Sequence, residues 1–112
     1  MITQPLDKAT VTKERRHAQR RKYRGNIEID WGSKVLTANV RDLGPRGLFA
    51  ELVPPLWVGA TFHARLLVNP VLLLECTVAR VEPARGIAVI FTVSEDAGQA
   101  QLELLLQSLP TV

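Results

Sequence analysis

The first regular pattern along the chain is an alternation of apolar and polar residues that begins at residue 26. Ile27, Ile29 and Trp31 alternate with polar neighbours, which is the period of two expected for a strand with one buried face. Similar alternation recurs between turn residues down to residue 93. The pattern predicts strands over 26–31, 35–43, 48–52, 61–68, 71–82 and 87–93.

Glycine and proline separate these predicted strands. Gly44–Pro45–Arg46–Gly47 is typical of a tight turn, with proline at its second position and glycine at its fourth. Pro83–Ala84–Arg85–Gly86 predicts another hairpin. Pro54–Pro55 predicts a loop, because adjacent prolines cannot join a central ladder.

The end of the chain changes from the strand period to the helical period. Leucines at 102, 105, 106 and 109 form one stripe of a helix predicted over 95–109, with Ser94 as N-cap and Pro110 as its end. Strands joined by tight turns and followed by one helix predict an all-β fold. We expect a six-stranded antiparallel β-barrel, closed so that no sheet edge is exposed, with the leucine stripe over one opening or one face.

The length of 112 residues and the 46% hydrophobic content predict one domain, over residues 14–109, with an ordinary core. Residues 1–13 are polar and are expected to be a disordered tail. The apolar runs are too short to span a bilayer, and the first 24 residues lack a signal-peptide pattern. These features predict a cytoplasmic protein without membrane insertion.

Charge is distributed unevenly along the chain. Residues 1–24 contain eight Lys or Arg against two acidic residues, a net of +6, whereas residues 25–112 contain six against nine, a net of −3. A basic arm on a mildly acidic body indicates a localised anionic partner.

Residue types that support catalysis or metal binding are sparse. His17 lies in the basic arm and His63 on the polar face of a strand, with no serine or cysteine motif near either. Cys76 alternates in phase with apolar neighbours, so we expect a core residue rather than a nucleophile. One cysteine and two histidines are too few for a structural zinc site. The sequence therefore predicts no enzyme, no metal and no cofactor.

Two segments remain that could bind a ligand. Arg16 and Arg20 are four residues apart before the first strand, and Asp42-Leu-Gly-Pro-Arg-Gly47 follows the second strand. Arginine grips phosphate bidentately or matches the Hoogsteen edge of guanine, and a carboxylate can accept the N1–H and N2–H of guanine. Glycine at 47 would let a ligand approach the backbone closely. These residue types suit a ligand that contains both guanine and phosphate.

The same residues resemble the signature of the PilZ domain, a bacterial receptor module for cyclic di-GMP. The signature is Arg-x-x-x-Arg followed, some twenty to thirty residues later, by (Asp/Asn)-x-Ser-x-x-Gly. Arg16, Arg20, Asp42 and Gly47 match it in order, while Gly44 stands where the family has serine. The segment Arg20–Arg24 also fits the first motif, but Arg16 and Arg20 leave more chain to wrap a ligand.

The resemblance implies a six-stranded barrel and a non-catalytic cyclic di-GMP receptor. Its arginine arm would close over the ligand and alter a surface that an unidentified protein partner binds. The expected ligand residues are Arg16, Arg20, Asp42, Gly44 and Gly47, with further contacts considered for Arg15, Arg21 and Arg46.

Two alternative functions stay open at this point. One is a PilZ-like interaction module that no longer binds nucleotide, indicated by Gly44 and by apolar residues on outer faces, Leu67, Ile90 and Leu104. The other, less favoured, is a basic-arm barrel that binds nucleic acid, although aromatic residues are only 5% of the chain. Homodimerisation is a further open expectation.

Overall fold

The computed structural model describes residues 20–110, which form a closed six-stranded antiparallel barrel followed by one helix. The strands and the helix are β1 (Arg21–Trp31), β2 (Lys34–Leu43), β3 (Gly47–Glu51), β4 (Thr61–Leu66), β5 (Leu72–Glu82), β6 (Gly86–Val93) and α1 (Asp96–Gln107). Their order around the barrel is β1-β2-β3-β6-β5-β4, and β1 pairs with β4 to close it. The predicted fold class is confirmed.

Alternate residues of β1, β2, β4 and β5 point into one apolar core, and the short strand β3 and the first half of β6 are buried along consecutive residues. Ile27 and Ile29 of β1, Leu74 of β5 and Ile87 of β6 are almost fully buried. No polar or charged residue among the described positions is buried, so burial of apolar surface stabilises the interior. Cys76 lies in this core, as predicted.

Helix α1 closes one opening of the barrel. Leu102 and Leu106 are buried in the core, and Gly98 lies against Val93 and Leu72. We call this opening, where β1 and β5 begin and β6 ends, the capped end. The leucine stripe therefore covers an opening, which was one of the two positions predicted for it.

The predicted ends of several elements were wrong. Strand β1 begins at Arg21 instead of residue 26, because its less exposed positions there, Arg21, Tyr23 and Gly25, include only one large hydrophobic residue and so lack the apolar alternation by which a strand is recognised. Strand β4 ends at Leu66 rather than residue 68. Helix α1 spans Asp96–Gln107 rather than 95–109.

Ser94 is not the N-cap of α1, which is Glu95, and Glu95 makes no side-chain capping hydrogen bond. Ser94 directly follows β6 and is still tied to β5, since its N–H donates to the Leu73 carbonyl at 3.0 Å, so the helix begins one residue later. At the other end, Ser108 and Leu109 continue in a tight turn, and their N–H groups donate to the carbonyl oxygens of Leu105 and Leu106.

Within residues 20–110, no helix has the length and apolar character needed to cross a membrane.

Candidate functional site

Arg20 of the first predicted motif and Asp42 of the second lie side by side at the rim of the capped end. Arg20 directly precedes β1, and Asp42 lies one residue before the end of β2. Lys22 of β1 pairs with Asp42, which brings the start of the first strand beside the end of the second. The Arg20 Nη2 atom is 3.0 Å from Asp42 Oδ1. We call Arg20, Asp42 and Gly47 the rim site.

The ion pair of the rim site is half-buried and only partly satisfied. The Arg20 and Asp42 side chains are 34% and 26% exposed. Asp42 Oδ1 is inaccessible to solvent, and its contact with Arg20 lacks hydrogen-bond geometry, so this oxygen has no hydrogen-bond partner within residues 20–110. A carboxylate in this state favours an additional donor, because desolvated acceptors without hydrogen bonds are costly.

Gly47 is required by the barrel itself. A Cβ added there would be 2.8 Å from the Val89 carbonyl oxygen of β6 and 3.9 Å from Arg20 Nη1. Its φ is not positive, so the constraint is close packing of two strands rather than an unusual backbone conformation. Gly44 is buried, and its N–H donates to the Gly47 carbonyl at 2.8 Å, which closes the turn over Pro45–Arg46.

The other predicted ligand residues lie in different places. Arg15 and Arg16 fall outside the described residues. Arg21 is the first residue of β1, opposite Leu43, and its side chain is half-buried. Arg46 is exposed at the turn, where it lines a cleft of about 560 Å³ that also includes His63 on the outer face of β4. Arg46 therefore lines the cleft beside β4, whereas Asp42 lies on a different surface of the barrel.

A cleft that the sequence reasoning missed lies beside the rim site. It has a volume of about 650 Å³, runs along the outer face of β1 and β2, and borders Asp42. We call it the outer cleft, and its polar lining residues besides Asp42 are Lys22, Arg24, Asn26, Asn39, Arg41 and Glu51. The alternating polar positions of β1 and β2 were a usable signal, but the bulges that align them are not visible in the sequence.

Two bulges shape the outer cleft. One lies in β1 between Lys22 and Gly25, and the other lies in β2 between Val40 and Asp42. The second bulge turns Arg41 and Asp42 toward the same outer side, since Val40 and Leu43 on either side are both buried. Bulges commonly re-aim side chains next to binding sites.

Tyr23 covers the first bulge. Its ring lies over Gly25, where an added Cβ would come within 2.7 Å of three ring and hydroxyl atoms. Burial raises the pKa of Tyr23 above its ordinary value of about 10. The phenol is therefore protonated at neutral pH and can donate a hydrogen bond at the cleft.

A charged network on the outer wall of β1 and β4 lies farther from the capped end than the rim site does. Arg65 Nη1 and Nη2 each donate to Asp30 at 2.9 Å, and Arg65 Nε donates to Glu28 at 3.2 Å. These hydrogen bonds hold the pKa of Asp30 below its usual range and raise the pKa of Arg65. Each nitrogen of the Arg65 guanidinium donates one of these hydrogen bonds, so we interpret the network as stabilising the pairing of β1 with β4.

Within residues 20–110, no three His, Cys, Asp or Glu side chains form a group that could hold a metal ion.

Comparison with known proteins identifies the architecture. No family model and no curated protein matches the sequence. Among solved structures, the PilZ domain of CeSA from a cellulose-synthesizing bacterium matches with a TM-score of 0.59 and 18% sequence identity. The match covers 79% of this chain and 94% of that chain. The chain has a PilZ-like fold. At this identity the likeness concerns the fold, and the PilZ-like domain extends over most of the described residues.

Proposed function

We propose that the PilZ-like domain is a cytoplasmic, non-catalytic receptor for cyclic di-GMP. The observation that carries the proposal is the 3.0 Å contact between Arg20 Nη2 and Asp42 Oδ1. It brings together one residue from each of the two motifs that the sequence shares with cyclic di-GMP receptors. The fold similarity to a PilZ domain supports the same function.

The rim site suits the chemistry of this ligand. Arg20 is always charged and offers a planar fork for a phosphate or for the Hoogsteen edge of guanine. The Asp42 side chain is 26% exposed although its Oδ1 is enclosed, so we expect the guanine N1–H or N2–H to reach the carboxylate from its exposed side. Arg16 would close over the ligand from the arm that precedes β1. The glycine at 44 supplies no hydroxyl, which would weaken binding by roughly two- to tenfold relative to a serine.

Ligand binding would change what the capped end offers to a partner protein. The N–H of Lys22, two residues after Arg20, donates to the Pro110 carbonyl at 2.9 Å, which links the start of β1 to the chain that follows α1. An arm that orders around the ligand would therefore act next to the C-terminal segment. Ordering the arm costs conformational entropy, which the charged contacts must exceed.

Titration calorimetry with cyclic di-GMP, with GTP and linear pGpG as controls, tests the proposal. We expect saturable binding that is selective for the cyclic form. Arg20→Ala should weaken it by about tenfold or more, because a charge-assisted contact is lost. The matched control is Arg85→Ala, an exposed arginine in the β5–β6 turn at the other end of the barrel, which should bind as the original protein does. Equal small losses in both variants would contradict a specific site.

The second candidate is a PilZ-like interaction module without a nucleotide ligand. Leu67, Ile90 and Leu104 are 39%, 55% and 69% exposed, so the predicted outward apolar residues do face solvent. Absence of heat at high micromolar cyclic di-GMP, together with a partner or dimer interface that forms without ligand, would favour this function. A steep salt dependence with single-stranded nucleic acid would instead favour the basic-arm alternative.

A further inference from the structure

The outer cleft is lined by more cationic than anionic side chains, and two of the cations form no ion pair within residues 20–110. Arg41 is paired with Glu51, with 3.5 Å between Nε and Oε2, and Asp42 is paired with Arg20. Lys22 and Arg24 are exposed and form no ion pair with any residue between 20 and 110. Two free cations on the wall of a cleft attract an anion such as a phosphodiester.

Farther along the same wall, two asparagines face each other across the strands. Asn26 of β1 pairs in register with Asn39 of β2, and both side chains are exposed in the outer cleft. Each amide offers both a donor and an acceptor, so its oxygen can accept the N1–H of guanine while its NH₂ donates to guanine O6. Adjacent to Lys22 and Arg24, they complete a surface with one place for a phosphate and one for a base.

The cleft and the rim site form one continuous surface. Asp42 belongs to both, and Lys22 pairs with Asp42 across the strands. The volume of about 650 Å³ falls in the range of small-molecule sites. A cyclic dinucleotide has two nucleotide halves, whereas the rim site offers one carboxylate and Arg20 for one half.

We infer that the outer cleft holds the second nucleotide half of the cyclic dinucleotide, with Lys22 and Arg24 at its phosphate and Asn26 and Asn39 at its base. This inference rests on the proposed function. It adds a specificity surface on β1 and β2 to the arginine and aspartate motifs. Arg41 is not counted among these phosphate contacts, because it is already paired with Glu51 and its guanidinium carbon lies 5.8 Å from the centroid of the Phe49 ring.

The test is calorimetric titration of the full chain with cyclic di-GMP. The double variant Lys22→Ala/Arg24→Ala should bind about tenfold more weakly, or worse, with unchanged stoichiometry. The matched control, Lys34→Ala/Arg85→Ala, removes the same charge from the opposite end of the barrel and should bind normally. Thermal melts of both double variants should match that of the original protein, since all four side chains are exposed.

A second variant tests the base-reading role separately from charge. Asn39→Ala should reduce the preference for cyclic di-GMP over cyclic di-AMP while the melting temperature stays the same. An unchanged preference would overturn the base contact. A loss of affinity that is no larger in Lys22→Ala/Arg24→Ala than in the control would overturn the phosphate contact.

The outcomes separate this inference from the function on which it rests. If Arg20→Ala abolishes binding and the Lys22/Arg24 variant does not weaken it, the outer cleft is not part of the site and the receptor function stands. If the Lys22/Arg24 variant lowers the stoichiometry instead of the affinity, the cleft binds a second molecule and the inference is overturned. If the original protein binds no cyclic di-GMP, the proposed function and the inference fall together.

Discussion

Gly47 lies at the first position of β3, where β6 leaves no space for a side chain. The Val89 carbonyl oxygen would be 2.8 Å from a Cβ at this position, and a backbone oxygen in a closed barrel cannot move away easily. The glycine that matches the ligand motif is therefore also a packing requirement. Loss of binding on substitution of Gly47 would not by itself prove a ligand contact.

Gly47→Ala is expected to lower the free energy of unfolding by about 1–3 kcal/mol, because the added methyl forces β3 and β6 apart. Urea denaturation in the absence of ligand measures this effect. Arg46→Ala, at the exposed neighbouring position, serves as the control and should change stability by less than about 0.5 kcal/mol. Equal stability of Gly47→Ala and the original protein would mean that the strands adjust without strain.

Cys76 illustrates how burial controls the chemistry of one side chain. Its neighbours in the core raise the pKa of the thiol to about 12, since a thiolate would be desolvated. The native protein should therefore react very slowly with a thiol reagent at pH 8, whereas the urea-unfolded chain should react at the rate of an ordinary cysteine. Rapid modification of the folded protein would show that this part of the barrel opens readily.

At the scale of elements, the contact between β1 and β4 closes the barrel and carries the Arg65 network. Glu28 is directly opposite Arg65, and Ile27 and Ile29 on either side pair with Leu66 and Ala64. The apolar pairs face inward and the charged side chains face outward. The Arg65 network therefore adds contacts on the outer side of a seam whose inner side packs in the core.

Arg65→Met should lower the melting temperature at pH 7 by a few degrees, because Asp30 and Glu28 lose their shared partner. The pKa of Asp30 is lowered in the folded state, so its contribution is complete above about pH 4 and disappears as the pH falls through the lowered pKa. Melting curves from pH 7 to pH 2 should therefore converge for the original protein and the variant. Lys34→Met, which removes an exposed cation with no ion pair among the described residues, is the control. A difference that persists at pH 2 would assign the effect to packing.

At the scale of the whole molecule, α1 acts as the cap of the barrel and also as a neighbour of the ligand surface. Leu102 is fully buried under the cap, whereas Leu104 is 69% exposed two residues later on the same helix. The chain after α1 reaches Lys22 through the Pro110 carbonyl. The helix that closes the core and the rim site therefore lie at the same end of the barrel.

Leu102→Ala should reduce the free energy of unfolding by about 2–5 kcal/mol, because it leaves a cavity beneath the cap. Leu104→Ala on the exposed side should change it by less than about 0.5 kcal/mol. Chemical denaturation of both variants measures the difference, which does not depend on helix propensity since the two substitutions are the same. Similar values for the pair would mean that α1 does not seal the core.

Much of the fold could be predicted from the chain because it depends on local alternation. A strand with one buried face must place apolar residues at every second position, and Ile27–Ile29 and Phe62–Ala64 carry that pattern into the core. The leucine stripe of α1 follows from the helical period in the same way. Predictions failed where the local pattern is silent, as at the start of β1, where arginine and glycine occupy less exposed positions, and at Ser94, whose N–H donates to the Leu73 carbonyl of the neighbouring strand.

By itself the sequence determined the type and order of the elements, the buried positions and the two motifs, since each follows from neighbours a few residues apart. Only the tertiary structure decided that Arg20 meets Asp42, that Arg46 faces another surface and that Lys22, Arg24, Asn26 and Asn39 line one cleft. The physical reason is that such meetings depend on strand register and on where bulges shift it. Register is set jointly by all six strands when the barrel closes, so no single segment of the chain contains it.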